Sequence, residues 1–300
     1  MIKVYVVFPT YGNSAIRMVN SMLRYLPDDI QVNQVFNAET KFARSDYDIV
    51  ITHVGAGAYI PCNAFVTPKA VISEVTDDVT MSYFTDRDIL FSYNHDEVER
   101  LQEDGYNVVL WPRPVDTEIF HSTSDVKTNL VMSVCEHGDL VKITDSVVSR
   151  LGGKHLVMQH KNQVKNGRLN AVYDFCWAGK EDDRMVKNYS ESMYSMSLLP
   201  DYEYRPGSWS CGFEVGVIEA LLCGSVPVVL RSKHVEYMHK WLDGLVRWVD
   251  PDSFKKDIMQ ILSSDYIPVT PEQIVMAQRR FNASDVWRRF WEAIRNVVNV

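Results

Sequence analysis

The sequence predicts an α/β protein of two domains, each built on a mainly parallel sheet. Strand-sized apolar runs alternate with amphipathic segments along almost the whole chain, which is the pattern of parallel strands joined by crossover helices. The alternation stops at Trp111-Pro-Arg-Pro and a polar run to Lys127, and then it starts again. A length of 300 residues also exceeds what most single hydrophobic cores accommodate. We therefore place a domain boundary near residue 120.

The first domain, residues 1–120, opens with a strand over 3–8 and a turn that contains Gly12 and Asn13. The segment 14–26 then carries its apolar residues at helical spacing, so it is predicted to be a helix. Further apolar runs predict strands over 31–36, 48–53, 70–74, 89–93 and 107–110, with a helix over 95–103.

The second domain, residues 121–280, repeats the same alternation. Its predicted strands cover 129–135, 155–159, 171–176, 195–199 and 226–230. Its predicted helices cover 140–151, 182–193, 213–223, 235–241 and 251–263, and a last helical stretch runs from 271 onward. In the terminal part, 281–300, Ser284 can cap a helix with one apolar side formed by Trp287, Phe290, Trp291 and Ile294.

Composition limits the class of protein. A net charge of −8 argues against a broad nucleic-acid footprint, which usually needs a basic face. The five cysteines are odd in number and lack metal-type pairs, which is typical of reduced thiols in a cytoplasmic protein. We find no signal-peptide pattern at the start and no apolar run long enough to be an integral membrane segment.

The segment from Cys211 to Leu230 combines a glycine turn, a short apolar helix with one acid, a Cys-Gly stop and a buried strand. Gly212 frees the backbone before the helix, so the N–H groups of the first turn can face an anion. Glu219 lies among apolar residues, where a carboxylate requires a partner. Gly224 suits the left-handed end of a helix. Together these features suit a nucleotide, with amides for phosphate and a carboxylate for ribose hydroxyls.

This segment resembles the donor-site signature of the retaining family-four glycosyltransferases of GT-B fold. The matching residues are Gly212-Phe213, Glu219-Ala220, Cys223-Gly224 and Pro227-Val228-Val229, all in register with the family pattern. Cys211 stands where the family has its first Glu. Weaker similarity, including 48–53, 86–97 and 111–120, runs over nearly the whole chain in the same order.

The resemblance implies two Rossmann-like domains facing across a cleft. The acceptor domain is expected over 1–120 and the nucleotide-sugar donor domain over 121–280. The helix in 281–300 is expected to cross back to the N-terminal domain.

The resemblance also implies donor-binding residues. Glu219 matches the acid that binds the donor ribose, although a structural hydrogen bond or ion pair is the alternative. The family holds the donor diphosphate with an Arg and a Lys after the first strand of its second domain; here Lys142 is the cation in that region, and Arg231 can stand in for the Arg. The full predicted set is Gly12, Asn13, Lys142, Gly212, Phe213, Glu219 and Arg231, of which Gly12, Asn13, Gly212 and Phe213 have a plain turn as the alternative.

Three side chains are candidates for the catalytic end of the site. Glu214 can supply a carboxylate from the turn that holds Cys211, although helix dipoles favour acids at such positions in any case. His53, at the end of a predicted strand, can face the crevice at the mouth of the first sheet or be a core or edge residue. Asp77, after the strand 70–74, is either acceptor-facing or part of a polar loop.

No metal site and no cofactor are predicted. Asp86-Arg-Asp88 fits the acid pair of metal-dependent glycosyltransferases, but those acids belong to a single-sheet fold, and here they precede an ordinary strand. No His, Cys and Glu residues show metal-ligand spacing. The expected substrate is a nucleotide sugar, such as a UDP-, GDP- or ADP-sugar.

The expected function is transfer of a sugar from this donor with retention and without a metal. Retaining members of the fold are thought to let the leaving phosphate take the acceptor proton, so no protein nucleophile is needed. The acceptor stays open between a saccharide, a lipid-linked glycan, a protein and a modified nucleobase. The alternatives are a sugar-nucleotide epimerase of the same architecture and a non-catalytic nucleotide- or glycan-binding protein.

Overall fold

The computed structural model describes residues 1–7, 13–35, 47–54, 68–73, 84–134, 138–159, 172–175, 182–198, 215–232, 235 and 238–299. These residues form two compact units. The first unit takes the described residues from Met1 to Pro114 and from Ala283 onward, and the second takes those between Val115 and Asn282.

The elements alternate along the chain as an α/β protein requires. The strands are β1 (Ile2–Val7), β2 (Ile30–Val35), β3 (Ile49–Val54), β4 (Lys69–Ser73), β5 (Ile89–Ser92), β6 (Val108–Leu110), β7 (Asn129–Val134), β8 (His155–Gln159), β9 (Val172–Phe175), β10 (Ser192–Ser197), β11 (Val226–Leu230) and β12 (Arg247–Val249). The helices in the described segments are α1 (Asn13–Arg24), α2 (His95–Glu103), α3 (Gly138–Arg150), α4 (Asp182–Ser190), α5 (Val215–Leu222), α6 (His239–Leu242), α7 (Phe254–Ser263), α8 (Pro271–Phe281) and α9 (Ala283–Val298).

Within the described residues, each unit contains one parallel sheet of six strands. The first has the order β2-β1-β3-β4-β5-β6, and the second has the order β12-β11-β10-β7-β8-β9. All pairings between neighbouring strands are parallel. The predicted class of two parallel-sheet α/β domains is therefore confirmed.

Helix α9 completes the core of the first unit. Its buried face lies against side chains of α1, β1, β3, β4 and β5. Trp287 contacts Trp111 at 5.3 Å between ring centroids, and Phe290 contacts Phe91 at 4.3 Å. The end of the helix is held by Arg295, which donates to the carboxylate of Asp29. The apolar side of this amphipathic helix therefore covers the first sheet.

Local sequence sets the beginnings of two helices as expected. The side chain of Asn94 accepts hydrogen bonds from the backbone N–H groups of Asp96 and Glu97 and caps α2. Thr270 and Gln273 form a reciprocal capping box at α8, with Pro271 in the first turn. Both starts match the predicted positions.

Other boundaries differ from the prediction. The helix predicted over 182–193 ends at Ser190, because Ser192 already pairs with Asn129 in the sheet. Strand β12 was not predicted, although β6, which is equally short, was. The helical stretch from 271 is divided at Asn282, whose backbone leaves the helical range, and α9 begins at Ala283 rather than after a Ser284 cap.

The segment predicted as a polar linker is largely buried at its start. Residues 111–115 are all shielded from solvent, with Trp111 and Val115 each 2% exposed. Val115 donates its backbone N–H to the carbonyl of Phe281 in the second unit. Trp111 is thus a buried residue of the first unit, and Val115 is a buried residue of the second. Of the helices that the structure describes, none is both long enough and apolar enough to span a bilayer.

Candidate functional site

The second sheet reverses its strand order between β7 and β10. From β7 the chain adds β8 and β9 on one side, and it then returns to place β10, β11 and β12 on the other. The carboxyl ends of strands that flank such a reversal open a crevice, which is where parallel α/β sheets bind ligands. Helix α3 follows β7 and α5 follows β10, so both helices begin at this edge. Lys142 and Glu219 therefore lie on two helices that start next to each other at this edge of the sheet.

Glu219 lies in the middle of α5 and is 3% exposed. The helix packs against α4, α8, β10 and β11, so its residues from Val217 to Leu222 are all buried. Gly216 allows close approach to α4, because a Cβ atom there would lie 3.1 Å from the hydroxyl of Tyr189. A buried carboxylate on so apolar a helix is costly unless it binds a polar group. Glu219 makes a polar or electrostatic interaction within the protein, and its role as a ligand-binding acid stays a prediction.

The Cys-Gly pair after Glu219 has a structural role. Gly224 adopts a φ of 78°, and its N–H bonds to the carbonyl of Leu221, as expected for a left-handed helix end. The Nζ of Lys127 donates to the carbonyls of Ser190 and Gly224 at 2.7 and 2.9 Å. This cation thus stabilises the carboxyl ends of two helices, α4 and α5.

Cys223 is a buried, free thiol. Burial raises its pKa to about 12, and the negative charge of Glu219 adds to the effect. The thiol is therefore protonated at neutral pH and is not a nucleophile.

The two predicted phosphate-binding cations have different surroundings. Lys142, in the second turn of α3, has a 62% exposed side chain and an ion pair of 3.0 Å with Asp139. Arg231, directly after β11, pairs with Asp250 at 3.0 Å and stacks over the ring of Trp248 at 5.2 Å. Both cations lie on the carboxyl side of the second sheet. Binding of an anion would therefore disrupt fewer existing contacts at Lys142 than at Arg231.

The first sheet has its own reversal, between β1 and β3. Asn13 is the first residue of α1, which follows β1, and His53 is the fifth residue of β3. The backbone therefore brings these two predicted residues to neighbouring strand ends. The other predicted residues lie outside the described segments: Gly12, Asp77, Gly212, Phe213 and Glu214.

The Asp86-Arg-Asp88 sequence does not hold two free acids together. Asp88 is buried and accepts hydrogen bonds from the backbone N–H and the ammonium of Lys69, and from the backbone N–H and hydroxyl of Thr85. Asp86 is exposed. Across the described segments, no three His, Cys, Asp or Glu side chains converge as a metal site.

A Ser-His-Asp grouping that the sequence analysis missed lies in the second unit. The hydroxyl of Ser133 is 2.8 Å from Nε2 of His155, and Nδ1 of His155 faces the carboxylate of Asp145 at 3.5 Å. The order of groups is that of a nucleophilic triad. However, Ser133 is fully buried, so no substrate reaches its hydroxyl. These residues, separated by 12 and 10 positions along the chain, carry no local motif that could have revealed them.

The burial of His155 predicts acid sensitivity of the second unit. Burial lowers its pKa to about 4, and the attraction of Asp145 only partly opposes this. The unfolded chain, with an ordinary histidine pKa of about 6.5, therefore binds a proton that the folded unit rejects. The contribution of neutral His155 to the free energy of unfolding is complete above about pH 6.5. It decreases by about 3 kcal/mol in total as the pH falls toward 4. Urea unfolding of the second unit at intervals from pH 7.5 to 4 measures this loss.

His155→Gln removes the titrating group and should flatten this part of the pH profile. The same substitution at the exposed His121 is the matched control. An unaltered slope in the His155 variant would contradict the assignment.

No protein-family model matches the sequence, and no curated protein matches it. Solved structures do match its fold. A glycosyltransferase involved in avilamycin A biosynthesis superposes with a TM-score of 0.66 at 14% identity, over 100% of this chain and 98% of that one. A sucrose-phosphate synthase from Thermosynechococcus elongatus gives 0.69 at 11% identity, over 99% of each chain. The UDP-GlcNAc 2-epimerase from Methanocaldococcus jannaschii gives 0.55 at 8% identity, over 98% of this chain and 100% of that chain.

These similarities extend over the full length of both partners. They assign the two parallel-sheet units of this chain to the GT-B glycosyltransferase fold.

Proposed function

We propose that this protein is a glycosyltransferase that moves a sugar from a nucleotide-sugar donor to an acceptor, with retention and without a metal. The observation that carries the proposal is Glu219, a buried carboxylate on a helix that starts at the strand-order reversal of the second sheet. A nucleotide at this crevice would bring its ribose hydroxyls to the helix that carries Glu219. The GT-B fold supports the proposal, since glycosyltransferases are among its structural neighbours.

The proposed chemistry rests on electrostatics. The diphosphate leaving group gains negative charge as the glycosidic bond breaks, and a nearby cation stabilises that charge. We assign this role to Lys142, with backbone N–H groups at Gly212 and Phe213 as further donors and Arg231 as the second cation. Asp139 opposes an anion at this position, so its pair with Lys142 has to open when the donor binds.

The acceptor side is proposed for the first unit. His53, at the carboxyl end of β3, and Asn13, at the start of α1, belong to the strand ends where a ligand would meet that sheet. His53, Asp77 and Glu214 remain the proposed catalytic candidates. The leaving phosphate takes the acceptor proton, so none of them needs to form a covalent bond.

Nucleotide-sugar binding tests the proposal directly. UDP-, GDP- and ADP-sugars are titrated into the protein by calorimetry, and donor consumption is followed with and without candidate acceptors. Glu219→Ala is expected to weaken nucleotide binding by about 1–3 kcal/mol, because it removes buried hydrogen bonds to the ribose. Lys142→Ala is expected to weaken binding of the diphosphate but not of the bare nucleoside.

Two controls define the result. Lys187→Ala removes an exposed lysine on α4, paired with Glu191 as Lys142 is with Asp139, and should leave affinity unchanged. Asp139→Asn should raise affinity, since it removes the competing anion beside Lys142. If no nucleotide sugar binds, or if Glu219→Ala binds as well as the unchanged protein, the proposed donor site is wrong.

The second candidate function is sugar-nucleotide epimerisation, and the fold similarity to the UDP-GlcNAc 2-epimerase favours its inclusion. An epimerase would alter the donor sugar without any acceptor. Proton NMR of the donor after incubation without acceptor separates the two, because only epimerisation produces a new sugar nucleotide. Binding without any turnover would instead indicate a non-catalytic nucleotide-binding protein.

A further inference from the structure

A cavity of about 500 Å³ lies in the first unit, between helix α9 and strands β5 and β6. Its apolar floor is formed by Ile89, Val109, Ala293 and Val297. The last two share one face of α9, four residues apart. The volume falls within the range of pockets that hold small ligands.

The cavity lies away from the carboxyl ends of the strands. Ile89 is the first residue of β5, and Asn107 directly precedes β6, the edge strand of the sheet. Both therefore mark the amino edge of the sheet. Ligand crevices of parallel α/β sheets open at the opposite edge, so this cavity is separate from the strand ends that carry Asn13 and His53.

Four polar side chains surround the apolar floor: Asp86, Arg87, Asn107 and Asn296. All four are exposed, and within the described segments none of them makes a side-chain hydrogen bond or ion pair. They come from three different places in the chain: the turn before β5, the residue before β6 and the last turns of α9. The fold therefore assembles a rim of available polar groups that no local sequence pattern specifies.

The chemistry of the rim selects the class of ligand. Asp86 only accepts hydrogen bonds, Arg87 only donates them, and the two carboxamides do both. The formal charges of Asp86 and Arg87 cancel. A simple anion would be repelled by Asp86, and a simple cation would be repelled by Arg87. Hydroxyl groups, which donate and accept at once, match all four side chains. The aliphatic floor suits the C–H face of a sugar ring.

We propose that this cavity is a saccharide-binding site, distinct from the proposed donor site and independent of the transfer reaction. Neutral saccharide hydroxyls bind Asp86, Arg87, Asn107 and Asn296, while the ring covers Val109, Ala293 and Val297. Such a site would hold a glycan chain on the first unit at a distance from the strand ends where a reaction would occur.

Saturation-transfer NMR and calorimetry on the full chain test this site with maltose, cellobiose and N-acetylglucosamine as probes. At least one of these probes is expected to bind in the millimolar range. Arg87→Ala and Asn107→Ala should each weaken binding roughly 3–10-fold, as loss of one or two hydrogen bonds does. Val297→Trp, which fills the cavity, should abolish binding. Asn299→Ala removes an exposed carboxamide from the end of the same helix outside the cavity, and should have no effect.

Several results would overturn the proposal. These are no binding by any of the three saccharides, equal binding by the Arg87 and Asn107 variants, or displacement of the saccharide by leucine or hexanoate, which would indicate a site for a zwitterion or an anion. Arg87 and Asn107 are exposed, so their variants should fold normally. Nucleotide-sugar affinity of Arg87→Ala provides a separate readout that should not change. The saccharide site and the donor site can therefore fail independently.

Discussion

Replacing Trp287 with alanine is expected to lower the free energy of unfolding of the first unit by about 3–5 kcal/mol. The indole is fully buried in the core that α9 shares with the first sheet. It contacts Trp111 and Phe290, and its Nε1 donates to the hydroxyl of Ser21 at 2.9 Å. The substitution therefore leaves a cavity in the core of the first unit and removes the hydrogen bond between α9 and Ser21 on α1. Trp287 is among the largest fully buried side chains in the described segments.

Hydrogen exchange in increasing urea measures this effect on the first unit alone. Amides in β1, β3, β4 and β5 should exchange at lower urea in Trp287→Ala, while those in β7, β10 and β11 keep their protection. Arg288→Ala is the matched control, because it alters the next residue of α9 on the exposed face, where the side chain is 59% accessible. Equal protection of the first sheet in both variants would show that α9 contributes little to the first unit.

Lys69→Met is expected to destabilise the first unit by about 3–5 kcal/mol, because it leaves the carboxylate of Asp88 buried without its cation. The two charged groups are 2.5 Å apart, and their side chains are 3% and 1% exposed. Thr85 holds the same carboxylate through its backbone N–H and hydroxyl, so Asp88 cannot turn toward solvent without losing these bonds. Methionine retains the apolar stem of lysine and removes only the charge.

The same exchange experiment, or global urea unfolding of the first unit, tests this pair. The double change Lys69→Met with Asp88→Leu should cost less than Lys69→Met alone, since no lone charge remains buried. Arg100→Met provides the control: its ion pair with Asp104 is exposed on both sides, and such pairs contribute under about 1 kcal/mol. A cost below about 1 kcal/mol for Lys69→Met would show that water reaches Asp88, contrary to the structure.

Features that depend on neighbours along the chain could be predicted from the sequence. The alternation of apolar strands and amphipathic helices follows from side-chain periods of 2 and 3.6 residues, and it indicated two parallel-sheet units. The starts of α2 and α8 follow from Asn94 and from the pair Thr270 and Gln273, because caps act within one helical turn. The helix end at Gly224 follows from the positive φ that glycine tolerates.

The candidate donor site was predictable only in part. Glu219 was identified because an acid in an apolar helix is unusual in any fold. The two partners of Arg231, Asp250 and Trp248, were not predicted, because they lie in and directly after β12, which was not identified in the sequence. Asp88 was considered as part of an acid pair with Asp86, whereas in the structure it binds Lys69, which lies 19 positions earlier.

Local pattern was therefore enough to establish the element types, the parallel class of both sheets and the unusual burial of Glu219. It carried no information on which distant residues meet. The ion pair of Lys69 with Asp88, the grouping of Ser133, His155 and Asp145, and the cavity between α9 and strands β5 and β6 depend on strand order and on where the terminal helix packs. These contacts form when distant segments pack against one another through their hydrophobic faces. The local preferences of individual residues do not encode which segments will meet.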